Sequence, residues 1–294
     1  MIFASENASA VYRALGKCCQ EVAPEGKWQW QCALLNGARL PVAASLREGF
    51  LSLECGAEIT VGSPSMMKRA ISANTCLHNG VKLVLDAASR CLRLHSDIAV
   101  LSELQLLARL QWSMDGLHHG TRLLACLCTD CTLSPELTEA AAPEHLHNLE
   151  EFIRDSNWQL AKRGPNEFAV ELESDSAPPA LVRIDERGIA ASVELVRCSR
   201  PEGAVPDALT IYLLTVTRTT RLVRATRLSG NQDIFALQAG LPASSAAEEL
   251  AHALAALSVA HRACAREANV LLNEAAARCY LAARDRSIDS QSNQ

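Results

Sequence analysis

The chain has 294 residues, 49% of them hydrophobic and 21% charged, a balance that allows a buried core and suits two domains better than one. Its formal net charge of −5 argues against a general affinity for nucleic acid or an anionic membrane, and no apolar run approaches the roughly 18 residues of a membrane span. Aromatic residues make up only 4%, so the core must be built mainly from Leu, Val and Ala.

Met1 to Ala14 lacks the basic stretch followed by an apolar one that marks a secretory signal, and a reducing cytoplasm is the expected location. A helix is predicted from about Asn7 to Val22. Strands follow at Trp28 to Leu35, Leu40 to Leu46 and Phe50 to Leu53, the last two around the turn Arg47-Glu48-Gly49. Ser65 to Leu77 reads as a middle helix ended by Asn79-Gly80. Val81 to Leu85 and Cys91 to His95 then form a hairpin, and a long closing helix begins at Leu101.

Residues 132 to 143 are small and polar, with Pro135 and Pro143 near their ends, and read as a connector. Beyond it Pro143 to Ser156 is a short amphipathic helix, with Leu146, Leu149 and Ile153 on one face. Trp158 to Ala161 and Phe168 to Leu172 read as strands around the turn at 163 to 166. Ala180 to Ile184 and Ile189 to Val196 are either a hairpin turning at Asp185 to Gly188 or one bent strand. Pro206-Asp207 starts a helix through Thr220, although its threonines leave a strand as the alternative. Leu222 to Leu228 and Ile234 to Gln238 flank Ser229-Gly230-Asn231-Gln232, a hairpin turn. Ser245 with Glu248 forms a capping box for a helix running to about Ala283. Residues 285 to 294 are polar and Ser/Gln-rich, a disordered tail.

Both halves thus give the order α-β-β-β-α-β-β-α. The predicted fold class is α+β: two similar units in tandem, 1–131 and 144–284 about the connector 132–143, each a small antiparallel sheet packed by helices. Leu92, Leu94 and Ile98 stand, to within one residue, where Ile234, Leu237 and Leu241 stand at a common offset, and the strand with Trp28 and Trp30 matches the one with Trp158.

That element order resembles class I chaperones of bacterial type III secretion and the similar YbjN-type domains, over about residues 7 to 283. The resemblance implies a non-enzymatic protein-binding module whose partner is a secreted effector or a secretion component, with the tandem units standing for the chaperone homodimer.

The closing helices carry heptad-spaced apolar residues. Leu250, Leu257, Cys264 and Leu271 recur every seven residues, interleaved with Leu254, His261 and Ala268. A helix of 40 residues would extend about 60 Å, beyond one small sheet. Leu250, Leu254, Leu257, Leu271 and Leu272 are therefore the candidate partner-binding residues, the end around Leu271 and Leu272 projecting toward the other half, a second subunit or a client. The bland alternative is that the stripe lies on its own sheet.

Arg218, Arg221, Arg224 and Arg227 recur at every third position and read as a solvated or dipole-complementing stripe on a helix. Cys126, Cys128 and Cys131, with His118, His119, His145 or His147, have ligand-like spacing, but structural zinc usually draws on two separated cysteine pairs and no second pair exists. Buried reduced thiols are expected there, with no metal. No glycine-rich phosphate loop, nucleophile elbow or H-E-x-x-H motif is present, so no cofactor and no enzymatic activity are expected. The alternatives are a scaffold that self-associates through its helical seams and an enzyme with a dispersed site.

Overall fold

The two strand-rich stretches each close into a six-stranded antiparallel sheet, and the two sheets have the same topology. The computed structural model describes residues 2–26, 28–34, 41–61, 63–77, 79–129, 151, 153–154, 158–164, 167–172, 177–185, 188–200, 202–242, 245 and 247–292. The first half runs α1 (Ile2–Cys18), β1 (Cys19–Gly26), β2 (Gln29–Leu34), β3 (Pro41–Arg47), β4 (Phe50–Thr60), α2 (Pro64–Ala73), β5 (Val81–Asp86), β6 (Cys91–Ala99) and α3 (Glu103–Thr129). The second contains β7 (Leu160–Gly164), β8 (Glu167–Val170), β9 (Ala180–Asp185), β10 (Gly188–Cys198), α4 (Ala204–Val216), β11 (Val223–Leu228), β12 (Asp233–Leu241), α5 (Ala247–Leu271) and α6 (Glu274–Ser292). The strand orders, β1-β2-β3-β4-β6-β5 and β7-β8-β9-β10-β12-β11, are one order written twice.

The α+β class and the two similar units are as predicted, with one strand more than expected before each middle helix. In the first half the addition is β1, because α1 stops at Cys18 and does not continue to Val22. β1 is an edge strand buried only at Cys19, so its sequence shows no alternation, and Pro24 is tolerated there because an edge needs no donor on its open side. In the second half Ala180 to Val196 resolves as the hairpin β9–β10, not as one bent strand. The repeat is in strict register across the second hairpins: β5 and β11, and β6 and β12, begin at the same offset. Leu92 therefore corresponds to Ile234, while Leu94 falls on Ala236 and Ile98 on Gly240. The connector 132–143 lies outside the described residues. Residues 151, 153 and 154 of the predicted helix after it are helical, and Ile153 is buried.

The threonines after Leu209 end α4 rather than turning it into a strand. Thr215 and Thr217 donate their hydroxyls to the carbonyls of Ile211 and Leu213, and Thr219 and Thr220 do the same to Val216 and Thr217 in the turn that follows. The arginine series consequently spans a turn and a strand, and is not a helical stripe.

Each closing helix lies on its own sheet: α3 across β6, β4 and β5, α5 across β10, β12 and β11. Leu106, Leu110, Leu117, Leu124 and Leu127 point inward from α3. On α5 the inward residues are Leu250, Leu254, Leu257, Cys264 and Leu271, each leucine side chain worth about 1.5–3 kcal/mol of burial. Gly120, unfavourable in a helix, has a packing reason: a Cβ there would stand 2.8 Å from Leu94 Cδ2. Gly120→Ala should therefore destabilise by about 1–3 kcal/mol through overpacking, against a propensity gain of about 1 kcal/mol. A urea midpoint higher than wild type would show that the helix can shift at no cost.

The single long helix predicted to Ala283 breaks at Leu272-Asn273. Asn273 Oδ1 accepts from the amides of Ala275 (3.0 Å) and Ala276 (3.2 Å), so an asparagine that disfavours helix interiors caps a new helix. α6 packs on α4, with Tyr280 edge-on to Tyr212 at 6.4 Å and Ala277 fully buried. The end of the closing region thus folds onto its own half instead of projecting. The polar stretch expected to be a disordered tail continues α6 as helix through Ser292, because propagation adds a hydrogen bond for each residue fixed once the first turns are anchored.

Candidate functional site

The middle helices of the two halves pack crosswise, α2 on β11 and α4 on β5, and α2 also packs on α4. β5 and β11 are the last strands of their sheets and touch without joining into one ladder. Such edges carry backbone groups that need partners once buried. Asn74, fully buried at the end of α2, supplies them: its Oδ1 accepts from Leu83 N (2.7 Å), and its Nδ2 donates to Ala225 O (2.8 Å) and Leu83 O (3.3 Å). One side-chain amide thus stands in for a ladder between the edges of the two sheets.

Two cations at matching positions complete the junction. Lys82 is the second residue of β5 and Arg224 the second of β11. Lys82 Nζ donates across the junction to Thr220 O (2.6 Å), and Arg224 Nη1 reaches back to Leu77 O (2.7 Å) and Val81 O (3.2 Å). Thr220 and Leu77 both follow the C-terminal ends of middle helices, where carbonyls and helix dipole favour positive charge. The chain then passes through left-handed backbone in both halves, at Asn79 and Gly80 and at Leu222. Gly80 leaves room there for Trp112, whose ring would stand 3.1 Å from a Cβ.

Lys82 also pairs with Asp97 Oδ2 at 2.9 Å, the two side chains only 2% and 0% exposed. Asp97 Oδ1 accepts from Ser52 Oγ (2.8 Å) and Arg221 Nη1 (3.2 Å) and lies 3.1 Å from His95 Nε2. Burial would push the Asp97 carboxyl up, but Lys82 and His95 outweigh it and hold the group well below the usual carboxylate range. Burial lowers the Lys82 ammonium from its ordinary value, opposed by Asp97. Arg221, stacked over Phe50 at 5.7 Å, carries this cluster across the halves. Further out Arg109 grips Glu249 through two bonds of 2.5 and 2.6 Å between α3 and α5. Lys68 pairs with Asp207 between α2 and α4, and Arg218 pairs with Asp86 at 3.0 Å.

Chemically this cluster is suited to adhesion. Lys82 donates to Asp97 and to Thr220 O, both Asp97 oxygens accept, buried His95 Nδ1 is left without a hydrogen bond, and the adjoining cavity lined by Asp97, Arg109, Trp112, Ser113, Glu249 and His252 measures about 40 Å³, room for a few waters. Three of the four arginines read as a solvated stripe, Arg218, Arg221 and Arg224, bind the other half, and Arg227 pairs with Asp233 within the β11–β12 hairpin.

The sequence-predicted partner-binding residues are placed differently from expectation. Leu250, Leu254, Leu257 and Leu271 are at most 5% exposed, because the stripe of α5 faces its own sheet, so they offer no surface to a partner; Leu272 is 37% exposed. The opposite face of α5 carries Val259 and Val270, both more than half exposed and eleven positions apart, hence on one side of the helix. Cys126 is half-buried in the last turn of α3, while Cys131 and the side chain of Cys128 lie outside the described residues. None of the ten described cysteines forms a disulfide.

His261, buried on α5, leaves Nδ1 without a hydrogen bond, and burial lowers its imidazole pKa. The folded state holds it neutral, so its contribution is present above the unfolded value of about 6.5 and falls away as pH drops below it. His261→Leu should flatten the loss of stability between about pH 6.5 and 5, measured by urea unfolding; an unchanged slope would assign that loss to other groups.

Lys82, Asp97, Asn74, Arg224 and the Arg109–Glu249 pair were not singled out from sequence as a site. The available signal was a cation at the second position of two matching strands. No helix among the described residues is long and apolar enough to cross a membrane. Comparison with protein-family models, curated proteins and solved structures gave no significant match.

Proposed function

We propose that the chain is a non-enzymatic, chaperone-like protein-binding module of the cytoplasm, its two halves forming the intramolecular counterpart of a chaperone homodimer. The observation that carries this reading is the crosswise packing of two topologically identical units, locked by reciprocal cations at Lys82 and Arg224. The engagement of the buried charges with one another and across the halves supports a binding role over catalysis, and the acidic balance supports a polypeptide partner over nucleic acid. The partner class is a secreted effector or another secretion component. It docks on the outer face of α5 at Val259 and Val270, with Leu272 at its end, a surface that can bury apolar side chains without disturbing the core.

Val259→Asp with Val270→Asp tests this. The double variant should keep the wild-type circular dichroism and urea midpoint to within about 0.5 kcal/mol, as for surface substitutions. Cross-linking in the native cell followed by reconstitution with the purified partner should give a defined complex that the variant loses. A reconstituted complex retained by the variant would move the surface elsewhere, and self-association of the wild type abolished by the variant would favour a scaffold.

A further inference from the structure

We propose that the segment docking on the outer face of α5 is an acidic amphipathic helix, a partner chemistry that rests on the protein-binding reading. The core stripe of α5 is turned to its own sheet, and the opposite face presents Ala255, Val259, Arg262, Ala263, Arg266 and Val270, all exposed. At 100° per residue Val259, Ala263, Arg266 and Val270 fall within about 60° of arc, with Arg262 along one border.

The two arginines set the charge of the partner. They stand four positions apart, a spacing that disfavours a helix through like-charge repulsion. Glu267 is the only acid of the chain between Glu249 and Glu274, and it is turned about 100° from Arg266 and about 140° from Arg262. Neither arginine has an ion pair, a side-chain hydrogen bond or a ring contact among the described residues. In a chain of net charge −5 this leaves a local positive site beside two exposed valines, and carboxylates along an apolar stripe complement both. A second copy does not. Val259 against Val270 in antiparallel order, or Val259 against Val259 in parallel, sets Arg266 close to Arg266 of the other copy. Two cations also fall short of the roughly four to eight that hold a basic segment on an anionic membrane.

Shape points to a helix. The backbone donors and acceptors of α5 are used within the helix, so an extended strand finds no edge to pair with on this face. Ala255, Val259 and Ala263 follow one another at intervals of four, a low ridge against which a second helix axis can lie at about 8 Å.

Labelled amphipathic peptides of about three heptads, with leucine on one face and either glutamate or lysine along its borders, are the probes. By fluorescence anisotropy the glutamate peptide should bind the full chain one to one, at least tenfold more tightly than the lysine peptide. Arg262→Glu with Arg266→Glu should invert that order at unchanged circular dichroism. Arg262→Gln with Arg266→Gln, which should bring the two peptides to equal affinity, replaces the reversal if it misfolds. Val259→Asp with Val270→Asp should weaken binding of the glutamate peptide at least tenfold. No binding or equal affinity in the wild type, or a preference for glutamate that the arginine variants leave unchanged while the valine pair still matters, would overturn the acidic partner and leave the docking face standing. Binding indifferent to both pairs would remove the face, and with it the reading beneath this one. Wild-type dimerisation abolished by the valine pair would overturn the proposal in favour of a second copy, and co-sedimentation with phosphatidylserine vesicles lost in the arginine variants would do so in favour of a membrane.

Discussion

Replacing Lys82 with Met is expected to lower the unfolding free energy by about 3–5 kcal/mol, although Met fills nearly the same space. The loss comes from what stays behind. Asp97 would remain buried without its strongest partner, and Thr220 O would lose a charged donor that arrives from the other half. Arg221 and His95 still contact the carboxylate, which places the effect toward the lower end of that range. The variant should also respond differently to acid. In the wild type the depressed Asp97 carboxyl contributes stability that is fully present above the unfolded value of about 3.9 and is lost as pH falls through its lower folded value. Without Lys82 that carboxyl rises toward its ordinary range, and the dependence of stability on pH below about 4 should flatten. Urea unfolding at several acidic pH values measures both effects. A loss under 1 kcal/mol with an unchanged acid slope would mean that the pair is not a staple.

Asn74→Leu should cost on the order of 3 kcal/mol, since Leu83 N and Ala225 O would each be left buried without a partner at about 1–3 kcal/mol apiece. Its distinctive consequence is uncoupling. Leu83 and Ala225 belong to different sheets, so the variant removes a side chain that bonds both edges, and the urea transition should broaden to a lower m value. A lowered midpoint with an unchanged m value would make Asn74 important to one half alone.

Much of the fold was legible because its punctuation is local. Asn79-Gly80 and Ser229 to Gln232 mark the starts and turns of the second hairpins and so place the strands that follow them. β1 was hidden because an edge strand exposed along most of its length carries no period-2 signal. The break at Asn273 was hidden because the Ala-rich sequence on either side suits one continuous helix, and only the packing of α6 on α4 selects the cap. Heptad spacing on α5 identified an apolar stripe correctly, but spacing alone cannot say whether a stripe meets a partner or its own sheet. The junction was the least legible part. Lys82 faces His95 in the pairing of β5 with β6 and reaches Asp97 diagonally, and the link of this pair to Thr220 and Arg221 spans more than a hundred positions. A three-residue arginine period fits a helix as well as it fits a turn followed by a strand, and the partners of Arg218, Arg221 and Arg224 decide between them.

The central claim is that the halves are one locked pair. Its most direct test is equilibrium urea unfolding with a separate fluorescent probe in each half, comparing a variant that keeps only Trp112 with one that keeps Trp112 and Trp158, the second probe being read by difference. Coincident transitions for the two probes, shifted together by Lys82→Met, are the predicted result. Two transitions with separate midpoints in the otherwise wild-type junction would contradict it.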